Sequence, residues 1–206
     1  MHVKRTLAIL SACFMAAQAH AQVLGLPVAS DAAPGMAGDM AVSGGIVLGD
    51  DLNLYGGRFS FNALDELVVF GDIGAVDPDH GDTGWGIQGG AQYSLDIPDF
   101  PADVALRGTA GYASLDQGRG PFKVDIDIWT VTGGAVISHQ IDEMFTVYGL
   151  LGLAYSRVSA SGFSDSEVDP AAGVGVLLSF TPELSAYAEF MHIDDPWFGL
   201  GLRFDI

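Results

Sequence analysis

Five charged side chains carry the first chemical signal in the sequence: Arg58, Asp72, Arg107, Glu189 and Arg203. Each falls in a run whose alternate residues differ in character, and on an extended backbone alternate residues face opposite sides. Extending the alternation puts Arg58, Arg107, Glu189 and Arg203 on the face shared with glycine and hydroxyl groups; Asp72 joins them from a less regular run. Charges gathered away from water are tolerated only when paired, so the set reads as an ion-pair network. A turn about Asp195-Pro196 would put Glu189 opposite or diagonal to Arg203.

Two other groupings invite chemistry. The stretch Asp77-Pro78-Asp79-His80-Gly81-Asp82 offers Asp77, Asp79 and Asp82 as weak surface candidates for calcium. It lacks the EF-hand order, having Gly81 and Asp82 where a ligand oxygen and then glycine belong. A solvated acidic loop that collects divalent cations loosely is the simpler account, as it is for Asp165, Glu167 and Asp169. No metal or cofactor is assigned. His192 and Asp194 stand two apart and would share a strand face as a general-base pair. No serine is placed with His139 and no Gly-x-Ser-x-Gly elbow occurs. No catalytic residue is assigned.

The elements that must position these residues begin after an export signal. His2, Lys4 and Arg5 precede an apolar stretch over 6–17, and Ala19-His20-Ala21 offers a small-x-small cleavage site, so 1–21 reads as a signal peptide. Leu10-Ser11-Ala12-Cys13 also resembles a lipobox, but the apolar run before it is short and a better site follows. Cleavage after Ala21 removes Cys13, and with it any thiol chemistry. Residues 22–38 lack alternation and read as a periplasmic lead-in. Over 39–206, ten runs alternate on a two-residue period: 40–48, 53–62, 66–76, 84–96, 103–114, 124–139, 145–158, 171–181, 184–193 and 197–206. The Ser, Gly and Asp-rich stretch 159–169 is expected to be the longest surface loop.

Composition decides what the runs face. Net charge is −18, which argues against nucleic acid as a partner, yet 49% of the residues are hydrophobic. After the signal, no segment has the eighteen continuous apolar residues of a helical span. A chain that spans a membrane by strands must close into a barrel, where every backbone N–H and C=O finds an internal partner. In the run 84–96, Trp85, Ile87, Ala91, Tyr93 and Leu95 oppose Gly86, Gln88, Gly90, Gln92 and Ser94. A soluble barrel would put charge on its outer face. The minor faces here are too sparsely charged for that, so the bulky face points to hydrocarbon and the small face inward. Counting strands from a periplasmic start puts Trp85, Trp129, Trp197, Tyr112 and Tyr155 near the outer interface, as an aromatic girdle would be.

At the C-terminus Phe198, Leu200, Leu202, Phe204 and Ile206 alternate with Gly199, Gly201, Arg203 and Asp205. This resembles the terminal β-signal that outer-membrane proteins present to their assembly machinery, with Ile206 where Phe or Trp is usual. The turn Thr181-Pro182-Glu183-Leu184 with its Glu189-bearing strand, and Val69-Phe70-Gly71-Asp72-Ile73-Gly74, resemble small outer-membrane barrels of the opacity-protein and outer-membrane-protein-A types. The resemblance covers 40–206; its families commonly have eight strands, whereas the runs count ten.

The expected fold is therefore all-β: an antiparallel transmembrane barrel in a bacterial outer membrane, ten strands preferred and eight the alternative. The expected function is a structural or surface-interaction role with a largely filled lumen and no catalysis. The alternatives are a narrow cation-favouring channel, an outer-membrane hydrolase and a soluble secreted β-domain. The partners implied are outer-membrane lipids, lipopolysaccharide, the barrel-assembly machinery and divalent cations at acidic loops.

Overall fold

A computed structural model describes residues 28–50, 52–78, 82–117, 124–160, 163–193 and 195–206. The alternating runs become ten strands: β1 Met40–Leu48, β2 Leu52–Asn62, β3 Leu67–Pro78, β4 Asp82–Leu95, β5 Asp103–Gln117, β6 Val124–Gln140, β7 Phe145–Ala160, β8 Phe163–Ser179, β9 Leu184–Ile193 and β10 Asp195–Asp205. Each pairs antiparallel with its sequence neighbours, and β1 pairs with β10 from Ala41↔Asp205 to Leu48↔Phe198, closing the barrel. Closure leaves no edge strand and gives the backbone polar groups their partners within the wall, the condition a lipid-embedded sheet must meet. Among the described residues the count is ten rather than eight.

The bulky faces point outward. Ile73, Leu151 and Val174 are 68%, 70% and 64% exposed, while their strand neighbours Asp72, Leu150 and Gly175 face the lumen side. Hydrocarbon is the medium in which such a band is stable.

Several strands overran their expected limits, β8 by the most. Of the stretch 159–169, residues 159–160 and 163–169 are not loop: β7 and β8 stay paired up to Ala160↔Phe163, with 161–162 outside the described residues. Two features hid this. From Phe163 to Val168 both faces of β8 are exposed, so hydrophobic alternation stops while the hydrogen-bond ladder continues. Pro170 also reads as a strand breaker, but it is paired within β8 to Leu153 of β7, and among the described residues β8 pairs with β9 only as far as Ala172↔His192. Proline is tolerated in a strand where its missing N–H would face no ladder partner. The wall is consequently uneven. β1, β2, β9 and β10 have 9–11 residues, whereas β5 to β8 have 15–17.

The lumen departs from the expected lining of small and hydroxyl groups. In the half away from the chain termini, Val47, Leu52, Leu54, Val76, Ile126, Ile128, Val158, Met191, Ile193 and Trp197 form one buried apolar cluster. A narrow barrel must fill its interior with side chains, and here the far half does so mainly with apolar groups, with Thr130, Ser156 and Asp169 buried among them. The near half holds the polar set, together with Val28, Ala29 and Ala32 of the lead-in.

Candidate functional site in the barrel lumen

The lead-in runs up inside the barrel. Gly35 and Gly38 bond to Asp65 and Asn62 at the β2–β3 turn; nearer the N-terminus, Ala32 N–H donates to Ser138 Oγ at 2.8 Å. Val28 reaches the middle of β9, where the Glu189 carboxylate accepts N–H bonds from Val28 at 2.9 Å and Ala29 at 2.6 Å. Tyr148 donates its hydroxyl to the same carboxylate. Glu189 is 2% exposed, so these donors replace the water it has lost. Ser30 and Asp31 lie along the wall of a cavity of about 430 Å³ between lead-in and barrel. Burial pushes the Asp31 carboxyl up, and the Arg203 charge partly offsets this.

Arg58 and Asp72 form a bidentate pair across β2 and β3, Nε–Oδ1 2.6 Å and Nη2–Oδ2 2.8 Å. They are register partners, Arg58↔Asp72, so pairing follows from the ladder itself. Arg58 also donates to the Val28 carbonyl at 2.8 Å, and Gln88 donates to Asp72. Arg107 donates to Gln92 Oε1 at 3.2 Å. The Phe70 ring is shared by both guanidiniums, Arg58 at 4.5 Å and Arg107 at 4.2 Å from its centroid. A ring face can hold buried cations where carboxylates are few.

Arg203 departs from its expected position. Glu189 lies opposite Gly199 and Arg203 opposite Ser185, four positions away along the hairpin. Asp195 and Pro196 are not the turn but the start of β10, paired with Ile193 and His192, and this register leaves Arg203 near the terminal end, where it binds Asp205 at 2.7 Å. Residues missed at first include Phe70, Gln92, Tyr148 and Tyr187. Their signal was present: Tyr187 shares strand parity with Glu189, and Tyr148 with Gly152 and Ala154. Tyr187 stands between Gly45 and Gly201, where a Cβ on either would collide with its ring oxygen.

Among the girdle residues, Trp85, Trp129 and Tyr155 are exposed on the outer face, and Tyr112 bridges the two tryptophans at centroid distances of 5.6 and 4.9 Å. Trp197 is not part of that set. It is 4% exposed and packs inside, because its alternation parity is that of the lumen. A Cβ on Gly49 would come within 2.6 Å of its ring, so a glycine there makes room for the indole. Phe198, Leu200, Leu202, Phe204 and Ile206 all face outward and are exposed. Asp77 accepts a bond from Thr83 at 3.1 Å and Asp82 begins β4, while Asp79 lies outside the described residues. His192 is exposed on the outer face of β9, and Asp194 lies outside the described residues, as do 1–21.

A family model described as the outer membrane protein beta-barrel domain matches residues 6–197, and the chain belongs to that family. It is a bacterial outer-membrane protein. Over 134 residues it is 32% identical to the attachment invasion locus protein of Yersinia enterocolitica, a stretch covering 60% of this chain and 66% of that protein, slightly under two thirds of its length. Among solved structures it is similar to the N-terminal β-barrel domain of Pseudomonas aeruginosa OprF, with 12% identity, 82% and 98% of the two chains covered and a TM-score of 0.45. It is also similar to Ail, the attachment invasion locus protein of Yersinia pestis, in complex with the heparin analogue sucrose octasulfate, with 18% identity, 83% and 100% covered and a TM-score of 0.45.

Proposed function

We propose that the protein is a closed outer-membrane barrel with a structural and surface-attachment role, neither a diffusion channel nor a hydrolase. The observation that carries this reading is the double filling of the lumen: residues 28–32 bound to Glu189 and Arg58 below, and the apolar cluster around Trp197 above. Across that upper half a hydrated ion would meet a packed and mainly apolar interior, in which Thr130, Ser156 and Asp169 are too sparse to replace its water shell. Arg58, Asp72, Arg107 and Glu189 act in this reading as a structural charge network, with Arg203 paired separately. The name of the Yersinia enterocolitica relative favours attachment as the surface role.

The remaining assignments belong to the same reading. Residues 1–21 direct export, the outward stripe of β10 is the signal read by the assembly machinery, and the Trp85, Tyr112, Trp129 and Tyr155 belt sits at the outer interface. Lipid surrounds the apolar band; lipopolysaccharide and loosely held divalent cations meet the acidic far end.

Purified protein added to planar lipid bilayers is expected to give no discrete conductance steps. Stable cation-selective steps would overturn the closed barrel. Expression in a non-adherent bacterial host is expected to raise its binding to epithelial cells, and no gain with surface display verified would remove the attachment role.

A further inference from the structure

Among the described residues, the hydrogen bonds that hold residues 28–32 reach main chain. Val28 and Ala29 give their N–H groups to Glu189, and the Val28 carbonyl accepts from Arg58. The Asp31 carbonyl accepts from Gln92, while Ala32 donates to Ser138 and accepts from Ser94. The side chains buried along this path are small, with Val28, Ala29 and Ala32 exposed by 3%, 2% and 0%.

Ala29 has φ of 49°, a left-handed conformation that non-glycine residues avoid. Two successive N–H groups turned to one side in this way make a concave anion-binding nest, and the Glu189 carboxylate fills it. Such strain persists only where surrounding contacts over-determine it. The direction of the segment also matters. It enters from the β2–β3 turn and advances toward its N-terminus, so it can leave without any strand unpairing.

We propose that the periplasmic half of the lumen is a peptide-backbone site, filled in cis by residues 28–32, which takes in trans a short peptide of small residues presenting two successive N–H groups. The wall offers an acceptor at Glu189 and donors at Arg58, Gln92 and Ser94, matched to main chain and indifferent to sequence beyond side-chain size. The closed-barrel reading stands or falls on conductance and is separate from this one.

The test uses a chain lacking residues 22–36, with folding verified by heat-modifiable gel mobility. It is titrated with a synthetic peptide of residues 28–36 carrying fluorescein at its C-terminal end, and anisotropy is read. Saturable one-to-one binding is expected, at least tenfold weaker with Glu189→Gln, retained when the peptide carries Ser30→Ala and Asp31→Ala, and lost with Ala29→Trp. Where the deleted chain does not refold, the intact chain bearing Ala29→Trp, whose own segment cannot seat, is the receptor. No saturable binding, equal binding with Glu189→Gln, or equal binding by the unaltered chain would each overturn the proposal.

Discussion

Replacing Glu189 with alanine is expected to lower the stability of the folded barrel by about 3–5 kcal/mol, the range for removing one member of a buried charged arrangement. Three donors lose their acceptor at once: the Val28 and Ala29 amides and the Tyr148 hydroxyl. Each buried donor left unmatched costs about 1–3 kcal/mol. Part of that cost is avoided if residues 28–32 withdraw into water, which is why the loss stays below the simple sum. The Arg58–Asp72 pair persists, since its two bonds do not involve Glu189. The measurement is the urea midpoint of the protein in lipid vesicles, scored by heat-modifiable mobility. Glu143→Ala, in the exposed β6–β7 turn, is the control and should move the midpoint little. A Glu189→Ala midpoint equal to that of the control would show that the lead-in contacts contribute nothing.

Trp197→Ala is expected to cost a similar amount, about 3–5 kcal/mol, by emptying the middle of the apolar cluster. The indole packs over Gly49 and lies opposite Met191 in the ladder, so neither neighbour supplies backbone movement to close the gap. Stability should fall without conductance, because the lower half remains occupied by residues 28–32. The double variant Trp197→Ala, Glu189→Ala is expected to conduct in planar bilayers where each single variant does not. Conduction by Trp197→Ala alone would mean that the lead-in does not seal the lower half. An unaltered urea midpoint would mean that the far cluster is not tightly packed.

The alternation of bulky and small residues was enough to find the barrel, because lipid outside and a narrow lumen inside impose opposite demands on successive side chains. The β1 limits, 40–48, were legible for that reason. Where lipid is absent the same logic lapses. Residues 163–170 belong to β8 although neither face is apolar, and the ladder alone holds them. The Arg58–Asp72 pair could be anticipated from two inward charges on neighbouring strands. The partners of Glu189 could not, because they are main-chain groups of a segment without alternation, and main chain carries no sequence signature. Trp197 shows the limit of pattern by residue type: its parity pointed inward, and aromatic habit pointed to the interface.

The difference in height between the two sides of the wall bears on how this surface can change. Strands of 15–17 residues exceed the roughly 9–11 needed to cross hydrocarbon, so β5 to β8 project as paired ribbons. A ribbon tolerates substitution readily but insertion poorly, since one added residue reverses the facing of everything beyond it. Whatever meets the cell on that side therefore encounters a stiff crest with fixed spacing. Variation there should accumulate as exchanges of single side chains, with changes in length confined to the tips.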